Sequence, residues 1–311
     1  LPGEILPDAR LILPSFAKIN LTLRVHGRRT DGYHEIETVF QTVTLHDQLT
    51  FEARDDGQLE LVCDAPEEIP CDESNLVYRA AVALRARYGT RAAGRGARIS
   101  LAKKIPAGGG LGGGSSNAAV ALVGLARLWE IDADRRALAE IGASLGADVP
   151  FFLTGGTALG TGRGTDIHPL ADAPPKQLLL VAPRARVSTA EAYKSLNAHA
   201  LTKALSPVNL TVSRAQAEIS GSLRAALRND FELVVYRLHP EIERVRDALT
   251  AAGADGALLS GSGASVFGLF ENVSERDRAQ ARLQVETGWQ VFACATLSRS
   301  AYAGEFGAVG F

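Results

Sequence analysis

Pro106-Ala107-Gly108-Gly109-Gly110-Leu111-Gly112-Gly113-Gly114-Ser115-Ser116-Asn117 runs straight into Ala118-Ala119-Val120-Ala121-Leu122-Val123-Gly124-Leu125-Ala126. Six of the seven positions from 108 to 114 are glycine. Such a run builds no core; it lets the backbone take positive φ and lets amide N–H groups converge on a ligand. Ser115, Ser116 and Asn117 are residue types that cap helices, and the apolar stretch after them reads as helix. A glycine loop feeding a helix N-terminus is an anion site, because unpaired N–H groups and the helix dipole both favour negative charge. The anion that fits is a nucleotide phosphate.

Two familiar phosphate loops do not match. Gly108, Gly110 and Gly113 spell G-x-G-x-x-G, but Glu130 and Asp132, at the distance where a dinucleotide fold needs an acid, follow a helix with no room for the second strand. A Walker A loop ends in Gly-Lys-Ser/Thr, whereas Gly114 is followed by Ser115. A flexible linker is disfavoured by Lys103-Lys104-Ile105-Pro106 on one side and a dense apolar helix on the other.

Upstream, Ile19, Leu21, Leu23 and Val25 alternate with Lys18, Asn20, Thr22 and Arg24, the period of a half-buried strand. Lys18 and Asn20 then share a face, about 6.6 Å apart. The turn-like Gly27 to Gly32 and a second strand from Tyr33 to Leu45 complete a hairpin, helped by Asp31-Gly32. A strand near 58–62, a helix over 75–88 capped by Ser74 and ended by Gly89, and a strand from Arg98 to Leu101 precede the loop. A helix over 134–145, capped by Asp132 or Asp134, ends at Gly146, and Pro150 stops Ala147-Asp148-Val149 from continuing as helix.

Ala171 to Lys176, with Pro174-Pro175, reads as a linker. Beyond it an apolar strand runs from Gln177 to Ala182, and helices are predicted over 189–196, 213–228 and 240–252. Ser260-Gly261-Ser262-Gly263-Ala264-Ser265 is a second glycine turn between two apolar strands. A helix over 274–286 and a strand over 290–297 follow. The mixture of hairpin, strands and helices is an α+β pattern in two halves.

Composition excludes several classes. With 46% apolar and 22% charged residues the chain is an ordinary globular protein. A net charge of −2 with scattered arginines argues against nucleic-acid binding. Cys63, Cys71 and Cys294 show no C-x-x-C spacing and are odd in number, which favours a reducing compartment over a disulfide framework. No stretch approaches the ~18 apolar residues of a membrane span, so a cytoplasmic protein without membrane partners is expected.

The loop from Pro106 to Ser116 resembles the phosphate-binding motif of the GHMP kinase superfamily. Phe16-Ala17-Lys18-Ile19-Asn20-Leu21 resembles that superfamily's first motif, and Leu259 to Phe267 its third, in the right order. The resemblance implies a two-domain fold. Residues 1–170 would form an ATP-binding domain like the second domain of ribosomal protein S5. Residues 176–311 would form a ferredoxin-like α/β sandwich, with the active site in the cleft. It also implies an ATP- and Mg2+-dependent small-molecule kinase with an alcohol as acceptor, working as a monomer or homodimer. Arg29-Thr30-Asp31-Gly32-Tyr33-His34 and Leu145-Gly146-Ala147-Asp148-Val149-Pro150 resemble the branch whose acceptor is cytidine diphosphate methylerythritol, an intermediate of non-mevalonate isoprenoid biosynthesis.

The resemblance assigns roles residue by residue. Lys18 and Asp148 are the implied catalytic pair, Asp148 toward the acceptor hydroxyl and Lys18 as its cationic partner. Asn20, Tyr33, His34, Thr189, Tyr193, Gly261, Ser262 and Gly263 would hold the acceptor, with its cytosine between Tyr33 and Tyr193 and bonded by His34. Asn75, Leu76 and Lys103 would line the adenine pocket. Pro106, Ala107, Gly108, Gly109, Gly110, Leu111, Gly112, Gly113, Gly114, Ser115 and Ser116 would cradle the phosphates, with Ser115 or Ser116 reaching the metal. A homoserine- or mevalonate-type kinase is the alternative within the superfamily, disfavoured by Asp31-Gly32-Tyr33-His34. A nucleotide-binding module without catalysis and a dinucleotide-dependent oxidoreductase are the alternatives outside it.

Overall fold

A computed structural model describes residues 10–65, 69–89, 92, 94–196 and 208–306. The first half contains β1 (Leu11–Arg28), β2 (His34–Arg54), β3 (Leu59–Asp64), α1 (Leu76–Tyr88), β4 (Gly96–Ala102), α2 (Gly113–Leu128), α3 (Arg135–Leu145), α4 (Val149–Phe152), β5 (Thr157–Thr161) and β6 (Asp166–Pro169). The second contains β7 (Gln177–Pro183), α5 (Thr189–Ser195), α6 (Val208–Gly221), α7 (Leu223–Ala226), β8 (Arg228–Asn229), α8 (Glu232–Leu238), α9 (Pro240–Ala251), β9 (Gly256–Leu259), β10 (Val266–Phe270), α10 (Val273–Leu283), β11 (Trp289–Ala295) and α11 (Arg299–Gly304).

Among the described residues, seven strands form one sheet in the order β3-β4-β2-β1-β8, with β5 on β2 and β6 on β5. Four strands form a second sheet in the order β11-β7-β10-β9. The β1–β2 hairpin is the spine, and β2 is long enough to pair β5 over Thr38–Gln41 and β4 over Gln48–Arg54. The period-two reading of β1 holds, but neither face is solvated. Ala17, Ile19 and Leu21 enter the core between the sheets, while Lys18, Asn20 and Thr22 are also buried. The alternation separates a core face from a site face.

The apolar run in β7 is explained the same way. Leu178 and Leu180 pack toward the first sheet, and Leu179 and Val181 pack against α9 and α10. A strand covered on both faces has no polar alternation to show. Helices α9 and α10 cover that second face, making an α/β sandwich.

Several local expectations are corrected. Asn75, not Ser74, caps α1, its side chain accepting from the Val77 N–H. Ser74 instead donates to Asp72. Ser115, Ser116 and Asn117 do not cap α2: its N-cap is Gly112, at φ +71, and the three lie inside the first turns. Pro150 does not bar helix, because it falls in the first turn of the short α4, where a proline N–H is not needed. The helix predicted over 213–228 is two helices, α6 and α7, followed by β8. Helices α8 and α11 and strands β5 and β6 were not anticipated. All three cysteines are free thiols, and burial pushes the Cys294 thiol up to about 12.

The segment 170–176 does run without helix or strand between β6 and β7. The chain nevertheless crosses back. Strand β8 pairs in parallel with β1, and Tyr302 of α11 is buried in the first core, its hydroxyl donating to the Phe152 carbonyl at 2.5 Å. Among the described residues, no helix is long and apolar enough to cross a membrane.

Candidate active site

The glycine loop alternates into the left-handed region at Gly108 (φ +70), Gly110 (φ +77) and Gly112 (φ +71). Two of these positions exclude any larger residue. A Cβ on Gly110 would run into the Ser260 carbonyl, and one on Gly112 would lie 2.8 Å from the Phe152 ring. The second turn meets the loop backbone to backbone: a Cβ on Gly263 would strike the Gly110 nitrogen. Ser265 N–H donates to the Gly109 carbonyl at 3.1 Å, and Ser260 Oγ to the Gly110 carbonyl at 3.1 Å. Asn229 pins the second turn from below, donating to the Leu259 and Gly261 carbonyls at 2.9 and 2.7 Å.

Strand β1 delivers Lys18 to this junction. The Lys18 N–H donates to the Leu111 carbonyl at 3.0 Å, so strand and loop are tied directly. Its ammonium lies 3.5 Å from Asp148 and donates to Asn20 Oδ1 at 2.7 Å. Asn20 is oriented by its own donation to Thr38 Oγ1 at 2.7 Å, and Thr38 in turn donates to the Thr22 carbonyl at 2.6 Å. That chain leaves the Asn20 oxygen facing the lysine. Phe40 lies under the ammonium, 5.5 Å from ring centroid to Nζ. Lys18 is thus a buried cation with satisfied partners, not a solvated strand lysine.

Asp148 stands at the N-terminus of α4, yet its side chain takes no capping bond. Its carboxylate is 31% exposed and faces the cavity beside Lys18. Its carboxylate is therefore free of any capping role in α4.

One cavity of about 840 Å³ gathers these groups. Lys18, Asn20, Tyr33, His34, Asp148, Thr189, Tyr193, Gly261 and Ser262 all line it, together with Gly110, Gly112 and Ser115 of the loop. Ser262 Oγ donates to Thr189 Oγ1 at 3.1 Å, closing its wall. Gly263 is not on the wall; it serves the close packing of the two turns. His34 stacks on Tyr193 at 4.8 Å, and Phe231 meets Tyr193 edge-on at 4.8 Å. Tyr33, 53% exposed, carries the Arg163 guanidinium 3.6 Å from its ring centroid. The two tyrosines expected to flank a base therefore each have a neighbour that the sequence did not reveal. Burial, with Arg28 adding to it, lowers the pKa of His34 and leaves a neutral ring at pH 7. Burial pushes the Tyr193 phenol up to about 12, and the Asp148 charge pushes the same way.

The expected adenine-side residues surround the other flank of the loop. Leu76 Cδ1 lies 3.6 Å from where a Gly114 Cβ would be, and Lys103 Nζ 3.1 Å from that of Gly113. Asn75 spends both ends of its amide on the chain, accepting from Val77 and donating to the Pro70 carbonyl at 2.7 Å. Pro106, Ala107 and Gly109 face away from the main cavity into a second one of about 470 Å³ beside Ala264 and Ser265. Leu111 is a core anchor, 1% exposed.

A buried polar network behind the loop was not legible in the sequence. Asp47 is wholly buried; one oxygen accepts from the Lys104 and Ile105 N–H groups at 2.7 and 2.8 Å. The other accepts from Lys103 Nζ and, at 2.8 Å, from Asn117 Nδ2. Asn117 also donates to Ser15, and Ser15 to Ser116 Oγ, each at 2.8 Å. The network joins β1, β2, the exit of β4 and the first turns of α2. It also occupies Ser116, so of the two serines only Ser115 turns to the cavity.

A cleft with a glycine loop at a helix N-terminus, a second glycine turn against it and a lysine–aspartate pair beneath suits a small-molecule kinase. Family models named GHMP kinases N terminal domain and GHMP kinases C terminal match residues 75–156 and 214–287. The chain belongs to the GHMP kinases, in the family of 4-diphosphocytidyl-2-C-methyl-D-erythritol kinases. A relative of that name from Pelotomaculum thermopropionicum is 43% identical over 86% of this chain and 91% of its own length. The crystal structure of a 4-(cytidine 5'-diphospho)-2C-methyl-D-erythritol kinase superposes with a TM-score of 0.73 at 35% identity, over 92% of this chain and 99% of that one. A homoserine kinase from Cytophaga hutchinsonii shares the fold at 20% identity, with a TM-score of 0.71 over 96% of this chain and 97% of that one.

Proposed function

We propose that this kinase transfers the γ-phosphate of ATP to the 2-hydroxyl of 4-diphosphocytidyl-2-C-methyl-D-erythritol, with Lys18 and Asp148 at the reacting centre. The observation that carries the reading is the 3.5 Å Lys18–Asp148 pair, set in one cavity with Tyr33, His34 and Tyr193 and under the glycine loop. A cavity that joins aromatic groups to a charged pair suits an acceptor made of a base and an alcohol joined by a diphosphate.

Phosphoryl transfer is mostly positioning and charge stabilisation. Asp148 takes a hydrogen bond from the acceptor hydroxyl and is placed to receive its proton. Lys18, fixed by Asn20, pairs with that carboxylate and offsets charge on the transferring phosphoryl group. Amides of the loop cradle the phosphates, and Gly261 and Ser262 close the cleft from the second domain. Neutral His34 offers a donor and an acceptor to the base edge, and the exposed Tyr33 ring a stacking face. Asn75, Leu76 and Lys103 border the adenine. Residues 1–170 and 176–311 are read as the two domains that meet along these turns, with β8 and α11 of the second half joining the first sheet and its core.

A magnesium ion fits the donor set. Ser115 Oγ lies 3.5 Å from where a Gly146 Cβ would be, two residues before Asp148, so a hydroxyl and a carboxylate border one space. Magnesium prefers few protein oxygens, taking the rest from phosphates and water, and the described residues gather no cage of three or more acidic, histidine or cysteine ligands. When bound with ATP it would neutralise phosphate charge.

Asp148→Asn tests the reading. A drop in kcat of about 10²- to 10⁴-fold with ATP affinity little changed is expected for a lost proton acceptor. Turnover near wild type would remove Asp148 from the chemistry.

A further inference from the structure

Four cations line the main cavity, Lys18, Arg28, Arg163 and Lys194, against one carboxylate, Asp148. Lys18 is matched by Asp148. The other three have no carboxylate at ion-pair distance among the described residues. Among the described residues the Arg28 side chain donates to the Gly32 carbonyl, at 3.3 Å. Asp31 lies close enough to Arg163 to feel its charge, but its hydrogen bonds go to Arg29 Nε and the Tyr33 N–H. The cavity therefore holds an excess of three positive charges, in a chain whose net charge is −2.

Arg163 is held where it is by construction. It occupies the tip of the β5–β6 turn between Gly162 (φ +69) and Gly164 (φ +90). The Gly162 N–H donates at 3.0 Å to Glu35, a buried carboxylate that also pairs with Arg29. The Ile36 N–H donates to the Gly162 carbonyl at 2.8 Å. Glu35 thus locks the β5–β6 turn to the β1–β2 turn and sets the guanidinium on Tyr33. An arginine set on a ring, with no carboxylate at ion-pair distance among the described residues, keeps its charge available to a ligand.

We propose that Arg28, Arg163 and Lys194 form a cationic rim that selects the acceptor by its diphosphate, so that a charged nucleotide is preferred over the same nucleoside without phosphate. The proposal rests on the reading of this cavity as the cytidyl-acceptor site. Unpaired cations converging on one cleft raise the local concentration of anions and steer them inward. The base contacts then fix orientation, while the rim sets the affinity for charge.

Calorimetric titration with CDP and with cytidine, at low and high salt and with ADP saturating the nucleotide site, tests it. Arg28→Gln, Arg163→Gln and Lys194→Gln should each weaken CDP by about fivefold or more, the worth of one unit charge a few ångströms away in a water-like medium. Cytidine should change less than about twofold, Arg163→Lys should keep most of the CDP affinity, and wild-type CDP binding should weaken with salt. If Arg163→Gln weakened CDP and cytidine by the same factor, the arginine would serve only to prop the ring. That result, or variants that left the CDP-to-cytidine ratio unchanged, would overturn the rim alone. If the wild-type protein bound ADP but neither CDP nor cytidine, the cytidyl reading would fall and the rim with it.

Discussion

Replacing Asp47 with asparagine isolates the network behind the loop. The carboxylate is fully buried and accepts from four donors, two backbone N–H groups on one oxygen and Lys103 and Asn117 on the other. An amide keeps one oxygen, and in either orientation its NH2 group faces donors. The larger loss is charge, because Lys103, whose side chain is 8% exposed, would become a nearly buried cation without its anion. Breaking a buried pair from one side costs about 3–5 kcal/mol. With an unfolding entropy of roughly 2.1 cal/mol/K per residue, a chain of this length loses about 1.5 °C of Tm per kcal/mol, so the variant should melt roughly 5–8 °C lower. Lys103 and the loop entrance border the proposed adenine pocket, so KM for ATP should rise by about tenfold, the effect of ~1.4 kcal/mol, while KM for the acceptor stays within about twofold. Thermal unfolding followed by circular dichroism and steady-state ADP release measure both. A melting point within about 1 °C of wild type, or a rise confined to the acceptor KM, would refute the role given to Asp47.

Tyr33→Ala removes the exposed stacking face; at ~1–3 kcal/mol per stacked base the acceptor KM should rise by about 5- to 150-fold with KM for ATP unchanged, and the opposite pattern would reverse the two ends of the site. Gly110→Ala should lower both Tm and kcat far more than Gly108→Ala: both demand positive φ, but only at 110 does the new Cβ meet backbone of the second turn, and equal losses would show that the turns need not touch. Glu37 is buried, which alone would raise its pKa, but hydrogen bonds from His26 and Arg214 and the charges of Arg214 and Arg24 pull it from 4.5 to about 2. A depressed carboxylate stabilises the fold above its unfolded pKa, so this contribution should be present at pH 5 and fade as the pH falls from about 4.5 toward 2. The stability gap between wild type and Glu37→Gln should close over that window, and a gap constant from pH 6 to pH 3 would contradict the assignment.

What could be read from the sequence follows from what acts locally. The phosphate loop, the hairpin turn at Asp31-Gly32, the end of α1 at Gly89 and the start of α9 at Pro240 are written in a few adjacent residues. The site face of β1 was legible because strand geometry alone sets Lys18 and Asn20 side by side. Its burial was not, since the cover comes from Gly112, Phe40 and Asp148, more than twenty to over a hundred residues away. Asp47 looks like any strand-end acid; its four donors lie 56 to 70 positions on. Arg163 gave no signal either, because its place depends on the distant Glu35. The serines after the loop misled as caps because glycine at 112 can take the left-handed N-cap without a side-chain bond. Helix α8 was hidden by its surroundings: it is a two-turn helix between β8 and Pro240, and Leu233, 79% exposed, breaks its apolar stripe.

The most direct test is ADP release from Mg-ATP with 4-diphosphocytidyl-2-C-methyl-D-erythritol set against homoserine, mevalonate and galactose. The proposal predicts turnover with the cytidyl acceptor alone. Turnover with another of these alcohols and none with the cytidyl compound would contradict it, leaving the fold and phosphate loop but overturning the roles of Tyr33, His34 and Tyr193.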